Sequence, residues 1–109
     1  MDSILTSIKK MLGIEAEYTH FDSDIIMHIN SVFMGLNQLG VGSEVPYIES
    51  DIDTWESVFG DIKQIPAIKT YTYLKVRIVF DPPTNSFVLE SMKNQIAELE
   101  WRLNVQVDK

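Results

Sequence analysis

Four residues near the start of the chain have the chemistry of metal ligands: His20, Asp22, Asp24 and His28. Asp24 and His28 are four apart, one helical turn, so both can project from one face toward an ion. No third ligand follows at a recognisable spacing, and helix capping accounts for both aspartates without a metal. Neither a metal nor a cofactor is therefore expected. Gly40-Val41-Gly42 lacks the further glycines and the strand-turn-helix setting of a phosphate loop. The serines and histidines form no nucleophile elbow, and the acidic residues no paired-carboxylate site. The absence of cysteine excludes thiol catalysis, Cys-ligated zinc and a disulfide framework, and suits a reducing compartment. The residues do not point to an enzyme.

What remains is the chemistry of association. The net charge of -7 opposes broad phosphate binding, which needs clustered Lys and Arg. The charges are also segregated. Residues 40 to 62 contain Glu44, Glu49, Asp51, Asp53, Glu56 and Asp61 and no base, whereas residues 63 to 80 contain Lys63, Lys69, Lys75 and Arg77 and no acid. Two readings fit. One is a solvated acidic loop beside an ordinary helix surface. The other is complementarity between one subunit's acidic segment and another's basic helix, with Lys69 and Arg77 setting orientation and association rate.

These groups must be positioned by helices. Ser3 can cap a first helix whose apolar face is Ile4, Leu5, Ile8, Met11 and Leu12, stopped by Gly13. Residues 14 to 22 read as a loop, with Tyr18 and Phe21 expected on the core. Asp22 or Ser23 is expected to cap a second helix running to about Leu39. Its residues Ile25, Ile26, Ile29, Val32, Phe33, Leu36 and Leu39 span an arc of roughly 140°. Met27 and Met34 lie seven apart on the other side. They are either scattered surface residues or an adaptable contact patch, since Met repacks easily. After Gly40-Val41-Gly42 comes a polar acidic loop, expected to be the most mobile part of an isolated protomer. Asp53 or Thr54 can then cap a short helix carrying Trp55, Val58 and Phe59, ended by Gly60.

The clearest pattern is C-terminal. Pro66 suits a first helical turn. Tyr71 to Phe80 is rich in aromatic and β-branched residues, and Lys75-Val76-Arg77-Ile78 alternates as a strand would. Helix is the better reading: the segment is too long for a typical strand and has no partner strand of similar quality. Asp81-Pro82-Pro83 forms a hinge, because proline cannot continue a helix and pushes its predecessor out of the α region. Thr84, Asn85 and Ser86 then offer cap oxygens. Leu89, Met92, Ile96, Leu99 and Leu103 fall within about 80° of arc, a narrow apolar stripe. The two long helices are expected to pack antiparallel through Ile78, Leu89 and Met92. Phe87, Trp101 and Val105 project some 120° to 160° away from the stripe. That second face is covered either by the chain's own N-terminal helices or by a neighbouring subunit, where Trp is a favoured anchor.

Three strings carry a resemblance: "SILTSIKKMLGI", "HFDSDIIMHINSVFMGLNQLGVG" and "IKTYTYLKVRIVFDPPTNSFVLESMKNQIAELEWRLNVQ". Together they resemble the head–tail connector, or adaptor, proteins of tailed phages and prophages of low-GC Gram-positive bacteria. The strings "KVRIVFDPP" and "ELEWRLN" are the most specific, and the likeness is weakest from Ser43 to Ile62. The resemblance implies a helical protomer, a homo-oligomeric ring of about a dozen copies under the portal protein, and a docking surface for the next neck or tail protein. It implies a place in the virion at the head–tail junction, with the host cytoplasm before assembly. An acidic channel wall that does not grip sliding DNA is compatible with that role.

The sequence thus describes one domain, residues 1 to 109, all-α, a bundle of four to five helices with two long C-terminal helices and an acidic loop. No stretch approaches the ~18 apolar residues of a membrane span, and no signal-peptide pattern opens the chain. Alternatives are another neck or tail-completion protein, or a helix-turn-helix regulator. Against the latter, no helix carries a basic recognition face. Candidate interface residues are Met27, Met34, Lys69, Arg77, Phe87, Trp101 and Val105, with Glu44, Glu49, Asp51, Asp53 and Glu56 in the acidic segment.

Overall fold

Each local signal builds an element. The computed structural model describes residues 3–41, 46–60 and 63–107, the last three as backbone alone. Ser3 accepts the Thr6 N–H and opens α1, Ile4–Leu12. Gly13 ends it at φ 84°, a left-handed conformation that costs glycine little. Next come α2, Asp22–Gln38, and α3, Trp55–Phe59, with a Thr54–Ser57 capping box. Helix α4 is Ile65–Phe80, with proline in its first turn, and α5 is Ser86–Val107. The fold is all-α. Ser3 and Thr54 form the one β-bridge among the described residues.

The stretch with strand-like composition is helical. Within α4, Ile68, Tyr71, Thr72, Leu74 and Val76 are buried, and the Thr72 hydroxyl donates to the Ile68 carbonyl at 2.7 Å. Helices α1, α2 and α5 all pack on α4. Such burial outweighs the small propensity cost of β-branched residues in a helix. At the hinge, the Asn85 side chain accepts the Phe87 and Val88 N–H groups at 2.8 and 3.2 Å and caps α5. The stripe is the inner face of α5: Met92, Ile96 and Leu103 are buried, Leu89 and Leu99 partly so.

Two local expectations fail for one reason. Neither Asp22 nor Ser23 caps α2; the N-cap is Phe21, with no side-chain bond. Tyr18 is exposed, while Phe21 does pack on the core. The cause is Lys9, only 2% exposed in α1. Its ammonium donates to the Ala16 and Tyr18 carbonyls at 3.0 and 2.7 Å and lies 2.8 Å from Asp22 Oδ1. Two carbonyl hydrogen bonds and one ion pair compensate the buried charge. Asp22 is drawn to Lys9 instead of the helix end. The Tyr18 backbone turns inward, leaving its ring outside.

Candidate assembly surface

The surface that matters is set by what the core leaves over. Helix α5 fills its stripe against α4, and the Tyr71 hydroxyl donates to Glu100 Oε2 at 2.8 Å across that seam. Burial and the neighbouring carboxylate hold the Tyr71 proton well above the usual phenol range. Further along, Ile78 and Val79 of α4 lie beside Lys93 and Ile96 of α5. With its inner face engaged, α5 presents Phe87, 85% exposed, and Trp101, 67% exposed, on the other side. The chain's own N-terminal helices do not cover either residue. Val105 belongs to α5, but its side chain lies outside the described residues. The Glu98–Arg102 pair, 2.7 Å apart, is fully on the surface and contributes little.

On α2, Met27 and Met34 are both exposed. At 1.5 Å per residue they sit about 10 Å apart along one side. The two candidate basic residues are engaged within the chain. Lys69 Nζ lies 5.8 Å from the Trp55 ring centroid, a cation–π distance, and Arg77 Nη1 donates to the Tyr73 hydroxyl at 2.9 Å. That bond to Tyr73 favours the charged guanidinium and raises its pKa further.

Most of the acidic segment is tied down. Glu44 lies outside the described residues. Glu49, Asp51 and Glu56 are exposed. Asp53 is partly buried: its Oδ2 accepts the Glu49 and Ser50 N–H groups at 2.8 and 3.3 Å, and its carbonyl accepts the Ile4 N–H at 2.9 Å. Pro46 and Ile48 are buried. Asn30 clamps Ile48 from α2, accepting its N–H at 2.7 Å and donating to its carbonyl at 3.0 Å. Within one chain, residues 46–53 thus make backbone and side-chain hydrogen bonds to α1, to α2 and among themselves.

The grouping His20, Asp22, Asp24 and His28 does not converge. Asp22 faces Lys9, and His20 and His28 join an aromatic cluster, His20 against Phe21 at 4.8 Å and His28 against Phe80 at 6.4 Å between ring centroids. Among the described residues no group of three His, Asp or Glu side chains could hold a metal ion, and no helix is long and apolar enough to cross a membrane.

A family model described as "Phage connector protein" matches residues 4–109. The chain belongs to the phage connector family. It is a structural protein of a bacteriophage virion, and its family role is head–tail connection in association with other head or tail proteins. No curated protein and no solved structure matches the chain. In this connector the candidate surface lies on α5 and α2, outside the packed core.

Sequence reasoning missed two features. Lys9 interrupts the apolar face of α1 at helical spacing between Leu5 and Leu12, a signal that it points inward. Tyr71 and Glu100 are 29 residues apart and carry no local signal of their pairing.

Proposed function

We propose that this connector assembles as a closed ring of its own copies beneath the portal protein. The ring extends the DNA channel and offers a surface to the next neck or tail component. The observation that carries the reading is the outer face of α5, where Phe87 and Trp101 stay uncovered while the Leu89 to Leu103 stripe is engaged with the core. Large aromatic side chains left exposed on a helix of a small protein fit a partner surface. Met27 and Met34 on α2 form a second, chemically different patch. Rings require two unlike patches on each subunit, because a heterologous contact propagates until it closes. The acidic balance suits a wall along which packaged DNA slides, since it offers phosphates few cations.

The test is Trp101→Ala. Loss of an interface anchor weakens subunit or portal association by about 2 kcal/mol or more, roughly thirtyfold in affinity. Light scattering with and without portal protein measures the assembly, and a thermal melt shows that the protomer remains folded. A variant that melts early yet assembles normally once folded removes Trp101 from the interface.

A further inference from the structure

Residues 46–53 of the acidic segment form a hydrogen-bonded loop on the surface of α1 and α2. The Asn30 clamp on Ile48, the Asp53 carboxylate under Glu49 and Ser50, and the Ile4–Asp53 backbone bond fix it from three sides. What it holds outward is unusual for a solvated loop. Ile52 is 82% exposed and Tyr47 is also exposed, interspersed with the exposed carboxylates of Glu49 and Asp51. A projection of large apolar side chains flanked by acids is a plug rather than a linker.

A matching socket exists elsewhere. Between α4 and α5 runs a groove of about 240 Å³ lined by Ile78, Val79 and Ile96, with Lys75 and Lys93 as its charged lining among the described residues. Its volume falls below the roughly 300 to 1,000 Å³ of small-molecule sites, which suits a side chain better than a cofactor. Val79 and Lys93 are exposed. Lys75 makes a cation–π contact with Tyr71 at 5.8 Å, and neither lysine is ion-paired among the described residues. Lys75 and Lys93 line the groove itself and are the cations placed to meet an incoming acid.

We infer that the 46–53 projection of one protomer docks into the α4–α5 groove of a second copy, Ile52 entering between Ile78, Val79 and Ile96 while Glu49 and Asp51 face Lys75 and Lys93. The inference rests on the ring reading and names its contact. The occupant is a second copy because every copy carries both halves of the match, the exposed Ile52 with Glu49 and Asp51 on one surface and the apolar groove flanked by Lys75 and Lys93 on another. A loop already hydrogen-bonded within its own chain needs less ordering on binding, which lowers the cost of association. The two patches differ, so the contact is heterologous, as a ring demands.

The chain contains no cysteine, which permits a direct test on the full-length protein. The double variant Ile52→Cys with Val79→Cys is oxidised under assembling conditions, alone and with portal protein. A covalent ladder beyond dimers is expected, whereas each single variant stops at dimers. Lys75→Glu with Lys93→Glu is expected to raise the protein concentration needed for assembly about tenfold or more. Adding Glu49→Lys and Asp51→Lys to the same chain is expected to restore assembly. Circular dichroism checks that every variant is folded. Normal assembly with no ladder and no effect of the lysine reversals overturns this contact and leaves the ring reading standing. A cysteine product containing portal protein instead of a second copy overturns the assigned occupant. Failure of the wild type to assemble at any concentration, with or without portal, overturns both.

Discussion

The two tryptophans of the chain sit in opposite surroundings. Trp55, fully buried, lies among Phe33 and Phe59, donates its indole N–H to Ser7 Oγ at 3.3 Å and is covered by Lys69. Trp101, on the outer side of α5, is mostly exposed. The same side chain closes the core in one region and is left over in the other. The lesson is that the inner region is complete within one chain. Its large rings are packed, and the buried ammonium of Lys9 is held by two carbonyl hydrogen bonds and an ion pair with Asp22. The outer region is mostly exposed among the described residues, so a cover there is expected to contribute to association more than to folding.

The largest effect on folding is expected at Trp55. Trp55→Ala is expected to cost about 3 to 5 kcal/mol. Against a total of ~5 to 15 kcal/mol that is a large fall in melting temperature, read by calorimetry or circular dichroism. A loss below about 1 kcal/mol would place Trp55 outside the core. Next is Lys9→Met, which leaves the Ala16 and Tyr18 carbonyls and the Asp22 carboxylate without their shared donor. Breaking a buried pair costs about 3 to 5 kcal/mol, and because Asp22 retains some solvent access roughly 2 to 3 kcal/mol is expected in urea unfolding. An unchanged midpoint would show that this cation does not hold α1 to the loop before α2.

At the seam between the two regions, Tyr71→Phe removes the bond to Glu100 and is expected to cost about 1 kcal/mol. Its signature is the alkaline limb. The folded chain favours the neutral phenol, whereas an unfolded tyrosine ionises near pH ~10. The stabilisation is therefore fully present below that pH and is lost as pH rises through the higher folded value. Wild-type stability should fall above pH ~10 more steeply than that of the variant, and parallel curves would contradict the assignment. The smallest effect on folding is expected at Trp101→Ala, within about 0.5 kcal/mol, although assembly suffers. Fluorescence quenching sharpens the same contrast: iodide should reach Trp101 in the protomer and spare Trp55, and assembly should shield Trp101.

Much of the fold was legible in the sequence because the signals are local and periodic. The stop at Gly13, the Thr54 cap, the hinge at Asp81-Pro82-Pro83 and the five-residue stripe of α5 each depend on neighbours within a turn or two. The off-stripe position of Phe87 and Trp101 was legible for the same reason, since helical phase alone sets it. Tyr71 to Phe80 was ambiguous from composition, and burial by three other helices settles it as helix.

Apart from Tyr71 to Phe80, local sequence was enough to place the helices, their ends to within a residue or two and the side chains that share a face, because backbone sterics and a 3.6-residue period act over short distances. Tertiary packing set Lys9 inside and Tyr18 outside, seated Ile48 on Asn30 eighteen residues away, and left Trp101 mostly exposed among the described residues. Those outcomes depend on which surfaces remain once the helices have packed, and that competition among distant residues has no local signature.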